Sequence, residues 1–171
     1  MLQIVNFFWQ ICLLRESPAG LPSSRFSTGA IFLAYLTIAL GVVALTRPEQ
    51  ALSTVIGTVI TGDSLQAGVT FLLLQFKGYL HRFNATWSAL LGANTIMLLI
   101  LLPFNFIILN SDNNTILMFA DSATWVCLGW WLAIAGYIYH KSVEVSVFQG
   151  SVIAFVIEFI SVIVAFNLFP R

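Results

Sequence analysis

The sequence predicts an all-α fold, a polytopic membrane bundle of five transmembrane helices behind an N-terminal interfacial amphipathic helix. Three observations predict it. The 171 residues are 59% hydrophobic and only 8% charged, whereas soluble domains carry about 25% charged residues, so too few charges exist to cover a water-facing globule. The stretch from Ala85 to Leu109 holds no Asp, Glu, Lys or Arg, and at ~1.5 Å rise per residue it crosses a hydrocarbon layer ~30 Å thick. Finally, a count of five crossings gathers most of the basic residues on one side.

Residues 1–14, MLQIVNFFWQICLL, place Gln3, Asn6 and Gln10 on one narrow helical face among apolar neighbours. That pattern predicts a helix lying in the membrane interface. No Lys or Arg precedes Arg15, so a basic n-region is missing and a retained helix is expected rather than a cleaved leader. Residues 15–25 form a linker, because Pro18, Gly20 and Pro22 break helices. Its Arg15 and Arg25 are candidates for anionic headgroups or a partner.

The remaining residues, 26–171, are expected to form one five-helix transmembrane domain. The first crossing is 26–46, stopped by Arg47-Pro48-Glu49. The second lies within 51–80, and two readings of it are open. It is one long helix, or it breaks near Gly62-Asp63, with Asp63 or Ser64 capping a crossing from about Leu65 onward. The third crossing is 85–109. Pro103 lies inside it, and Ala85, Ser88, Ala89, Gly92 and Ala93 form a small-residue stripe that lets backbones approach closely in lipid. The fourth is 121–139, led in by apolar Ile116 to Ala120. Tyr137 and Tyr139 fall where an interfacial belt would lie, with Trp130 and Trp131 deeper between helices. The fifth is 145–169, ending at Pro170-Arg171.

With this count, Arg15, Arg25, Lys77, Arg82 and Lys141 lie on one side, and only Arg47 and Arg171 on the other. The bias of Lys and Arg toward the cytoplasm puts the N-terminus inside and the C-terminus outside. Formal net charge is zero, so nothing draws the chain to nucleic acid. The lipid bilayer is the expected partner, together with other membrane proteins or a second copy.

Glu158 is the sharpest candidate for function. It stands halfway along the fifth crossing, where a carboxylate costs roughly 2.5–3.5 kcal/mol on insertion scales. It must be protonated, paired or facing water. Asp63 joins it at mid-depth only if the second crossing is continuous, and then the two could make a two-carboxylate site. Asn94, Asn105, Gln66 and Gln75 are further intramembrane polar groups, and Asn94 is carried as a ligand or ion candidate beside the two acids. Lys77, His81, Arg82, His140 and Lys141 cluster toward the cytoplasmic face as headgroup or partner contacts and topology determinants. Cys12 and Cys127 sit on different elements, so they read as two buried thiols. No metal-ligand spacing, cofactor fingerprint or nucleophile motif is present, so no catalytic residue and no cofactor are expected.

The stretch Arg82-Phe83-Asn84-Ala85-Thr86-Trp87-Ser88-Ala89-Leu90-Leu91-Gly92, leading into a crossing that ends near Pro103, resembles a family of small uncharacterised proteobacterial inner-membrane proteins. Arg47-Pro48-Glu49-Gln50-Ala51-Leu52 and the Leu13-Leu14-Arg15…Leu21-Pro22 linker fit the same resemblance. From Ser27 on, the layout is also similar to the Yip1-type membrane domain. The resemblance implies a bacterial inner-membrane location and carries over no functional residue. Two functions are expected from the whole reading. One is a non-enzymatic packing or scaffold partner of other membrane proteins. The other is a small transporter or proton- or cation-handling protein that uses Glu158, with or without Asp63.

Overall fold

A long apolar run in lipid has no water for its peptide groups, so it takes the form that pairs every N–H with a carbonyl of its own segment. The structure, a computed structural model, describes residues 2–21, 24–46 and 51–168. Its α-helices are α1 (Leu2–Cys12), α2 (Arg25–Thr46), α3 (Leu52–Phe76), α4 (Phe83–Asn110), α5 (Asn114–Val143) and α6 (Val147–Leu168), with short 3-10 turns at Pro18–Gly20 and Leu80–Arg82. No strand occurs among the described residues. Five helices, α2 to α6, are long and apolar enough to cross a membrane. The Arg47-Pro48-Glu49 stop, Pro22 and the Pro170-Arg171 end lie outside the described residues.

The ambiguous second crossing is one helix. Thr61-Gly62-Asp63-Ser64 does not break it, since α3 runs unbroken from Leu52 to Phe76. Thr58 and Thr70 donate their hydroxyls to the carbonyls one turn back, Thr54 at 2.8 Å and Gln66 at 2.7 Å. The Asp63 carboxylate accepts from a neighbouring helix instead of capping its own. The helix stops at Phe76 rather than running to 80. Gly78 adopts φ +77°, and the amides of Gly78 and Tyr79 return to Gln75 and Leu74 at 3.1 and 2.8 Å. This is the left-handed glycine stop common at helix ends.

The fourth crossing begins well before 121. Asn113 caps α5 by accepting from the amides of Thr115 and Ile116 at 3.0 and 3.4 Å, so Ile116 to Ala120 belong to the helix itself. At its far end Glu144 takes the left-handed position at φ 59°. α6 then opens at Val147 on a reciprocal cap. The Gln149 amide donates to Ser146 Oγ at 3.1 Å, and the Ser146 amide donates to Gln149 Oε1 at 3.0 Å, the serine–glutamine arrangement of a capping box.

The five long helices close into a ring in the order α2–α4–α5–α6–α3, with α3 returning to α2. Small residues set two of its joints. On α4 every residue from Ala85 to Ala93 is buried, because α2, α5 and α1 all pack around that half. The small-residue stripe is therefore occupied within the chain. A Cβ on Gly92 would run into the ring of Phe8 on α1, so α1 docks on the bundle through buried Phe8, Ile11 and Cys12. Between α5 and α6 the contact is backbone to backbone. A Cβ on Gly136 would lie 2.7 Å from the Val147 carbonyl and collide with Ser151, and one on Gly150 would meet Gly136 itself.

Tyr139 is not part of an interfacial belt. It is fully buried and shares a hydrogen bond of 2.9 Å with Thr70 of α3, since a tyrosine hydroxyl in a dry core needs a partner. Trp130 does pack between elements. Its indole N–H donates to the Cys12 carbonyl at 3.0 Å, and its ring meets Trp9 edge-on at 6.3 Å. Both cysteines are buried free thiols.

Gly136→Val is expected to lower the unfolding midpoint in detergent, by overpacking of about 1–3 kcal/mol. Gly129→Ala, where a Cβ meets nothing within 4 Å, is expected to be neutral or slightly stabilising. Equal midpoints for the two variants would contradict the glycine joint.

Candidate functional site

Each of the five long helices carries a polar group near its middle, and ring closure brings these groups onto one cavity of about 300 Å³. α2 contributes Tyr35, α3 Asp63 and Gln66, α4 Asn94, α5 Thr124 and Trp131, and α6 Glu158 and Ser161. Helical spacing does the alignment. Asp63 and Gln66, like Glu158 and Ser161, are three residues apart and share a face. Apolar Val59, Met97, Leu98, Leu101 and Leu128 fill the rest of the wall.

Two hydrogen-bond systems fix the polar side chains. Tyr35 donates its hydroxyl to Asp63 Oδ1 at 3.0 Å. On the other side, Trp131 donates its indole N–H to Asn94 Oδ1 at 2.6 Å, and Asn94 donates in turn to Gln66 Oε1 at 3.3 Å. That relay ties α5 to α4 and α4 to α3. Among the described residues, two buried oxygens have no hydrogen-bond partner, Asp63 Oδ2 and Ser161 Oγ. Unpaired buried polar atoms are rare in folded proteins and call for an explanation. Asp63 is only 6% exposed, whereas Glu158 is exposed. Asp63 is thus the inner acid, and Glu158 stands at the cavity's mouth.

The structure brings the three central candidates, Asp63, Glu158 and Asn94, to one site. Tyr35 and Trp131 were not foreseen there. A tyrosine in the middle of a long apolar helix is a signal that could have found the first, because its hydroxyl needs an acceptor there. Among the described residues, no Lys, Arg or His lines the cavity, and no group of three or more His, Cys, Asp or Glu is placed to hold a metal ion.

The basic candidates lie elsewhere. The Pro18–Gly20 turn, the α3–α4 turn and the α5–α6 turn converge on a second cavity, of about 550 Å³, at one end of the bundle, with His81, Arg82, Lys141 and Glu144 in its wall. Arg15, Arg25 and Lys77 are exposed and do not line it. Arg82 pairs with Glu144 at 3.2 Å and lies 4.3 Å above the Tyr79 ring, and Tyr79 donates to the other Glu144 oxygen at 2.7 Å. His140 Nδ1 lies 2.6 Å from the Val145 carbonyl in the same turn. The Tyr79 hydroxyl first, then Arg82, hold the Glu144 carboxyl below its ordinary range, and the same hydrogen bond pushes the Tyr79 phenol up.

Searches of family models, of curated proteins and of solved structures return no match to this chain. The residues themselves carry the functional argument.

A carboxyl held low in the folded state contributes stability that is complete above its ordinary range and is lost as pH falls through the lowered value. Wild-type protein is therefore expected to lose part of its thermal stability on acidification below the ordinary glutamate range. Tyr79→Phe should weaken that dependence, and Glu144→Gln should remove its share. Melting curves of the three proteins across the acid range, in one detergent, check this, and superimposable profiles would contradict it.

Proposed function

We propose that this chain is an integral membrane protein that binds and handles a cation in its central acidic cavity. The observation that carries the reading is the cavity itself. Two carboxylates from different helices share it, and among the described residues no basic side chain lines it and Asp63 keeps a buried oxygen without a partner. In a medium of low dielectric a carboxylate is costly unless protonated or paired with a cation. A fold that places two of them together at mid-depth supplies what a proton or another cation needs.

The five long apolar helices support spanning of the bilayer. The basic cluster at one end supports a cytoplasmic N-terminus and a periplasmic C-terminus. A bacterial inner-membrane location rests on the resemblance to small proteobacterial inner-membrane proteins. The packing or scaffold reading draws on the outward apolar faces alone, because the α4 small-residue stripe is already filled by α1 and α2. A reporter fused after Arg171 is expected to be active in the periplasm and silent if it requires the cytosol.

Infrared difference spectroscopy on the protein in liposomes tests the cation reading. A step in pH, or addition of sodium or potassium, is expected to perturb carboxyl bands, part of which disappears in Asp63→Asn and part in Glu158→Gln. Spectra that are the same in wild type and both variants under every condition would overturn the reading and favour the packing role.

A further inference from the structure

We infer that the occupant of the central cavity is an organic cation, an amine or onium nitrogen with an apolar body, which reaches the site from within the bilayer. This rests on the reading of the cavity as a cation site and adds the class of cation.

Size is the first argument. A water molecule accounts for about 30 Å³ of liquid, so a cavity of about 300 Å³ is roughly tenfold too large for a dehydrated inorganic ion. It lies at the lower end of ordinary small-molecule sites, which are mostly apolar with a few placed polar groups. The wall has that composition, with Val59, Met97 and Leu128 around two carboxylates.

Oxygen supply is the second. A bare hard cation such as Ca²⁺ takes six to eight oxygens arranged around one point, whereas several side chains here are tied to other partners. Gln66 and Asn94 are held in the relay, Thr58 and Thr124 donate to their own helices, and Tyr35 donates to Asp63. Among the described residues, the groups free of such ties are the Glu158 carboxylate and the buried, unpartnered Asp63 Oδ2 and Ser161 Oγ, a set of charge and acceptors that suits one positive nitrogen. Tyr35 and Trp131 add the side-chain types whose ring faces attract such a charge.

Access is the third. Glu158 is exposed halfway along α6, with exposed Phe155 and Phe159 one turn before it and beside it. In a helix that spans the membrane, exposure at that position is to acyl chains, not to water. A hydrated ion does not arrive by that route, whereas an amphipathic cation already dissolved in the bilayer does.

Benzyltrimethylammonium is the probe, because its charge is permanent and does not depend on pH. Radiolabelled probe in equilibrium dialysis against the whole chain in lipid nanodiscs is expected to bind saturably. Unlabelled probe should displace it, and neopentylbenzene, the neutral isostere with carbon in place of nitrogen, should not. Asp63→Asn and Glu158→Gln are each expected to weaken binding at least about tenfold. If Asp63→Asn fails to fold, Glu158→Gln at the exposed mouth carries the same expectation. Displacement by the neutral isostere, or unchanged affinity in the folded variants, would overturn the inference. So would absence of saturable binding while sodium, potassium or protons still perturb the carboxyl bands, and in that case the broader cation reading stands. If no cation of any kind produces a response, both fall together.

Discussion

Once each helix has satisfied its own peptide groups, the side chains alone decide how five helices meet, and in lipid the groups with most to gain from meeting are the polar ones. Apolar side chains find acyl chains as hospitable as one another, so packing is driven by close backbone approach and by polar contacts. Both operate here at separate places. Gly136 and Gly150 let α5 and α6 touch backbone to backbone. The Trp131–Asn94–Gln66 relay and the Tyr35–Asp63 bond join α5, α4, α3 and α2 around the centre. Thr70 and Tyr139 add a tie from α3 to α5 nearer one end.

The polar content is thereby divided into two regions of different character. At the basic end, arginine, tyrosine and glutamate balance one another at a surface where salt and water screen them, and Glu144 has both partners it needs. At the centre, among the described residues, no fixed positive charge answers the two acids. Partial satisfaction is the informative feature. Asp63 Oδ1 is held by Tyr35, which fixes the carboxylate's orientation, while Oδ2 is left over. A purely structural hydrogen bond would be served as well by an asparagine or a serine, without the expense of a carboxylate at that depth.

Much of this arrangement was legible in the sequence, for a physical reason. Long apolar helices announce themselves by length and by absence of charge, so the five helices long and apolar enough to span a membrane, and the positions of Ala85–Leu109 and Glu158 along them, could be read directly. Ends were harder. α5 starts at Asn114 because Asn113 caps it, and α3 stops at Phe76 because of Gly78. These are local backbone choices that hydropathy does not record. The capping box Ser146–Gln149 was readable and passed over, because apolar Val145 looked like the start of the crossing. Convergence was beyond the sequence altogether. That Tyr35 meets Asp63, and that Asp63 and Glu158 share a cavity, depends on the order of helices around the ring, which no periodicity within one helix specifies. Tyr139 was misplaced for the same reason, since its position near a helix end matches an interfacial residue and only its neighbour Thr70 makes it a core one.

Two acids without a fixed base have a consequence that does not depend on which cation they hold. If the cavity holds a cation as proposed, its charge is set by protons and by that cation together, so each displaces the other, and by linkage the effect of one on the other's affinity is reciprocal. On that proposal the two acids are not equivalent, because Asp63 is oriented by Tyr35 with one oxygen left over and Glu158 is exposed. A cation reaching the cavity from the bilayer would meet Glu158 first and Asp63 second, and a proton held by either acid would oppose it, which is the competition that coupling a proton to a second cation would require.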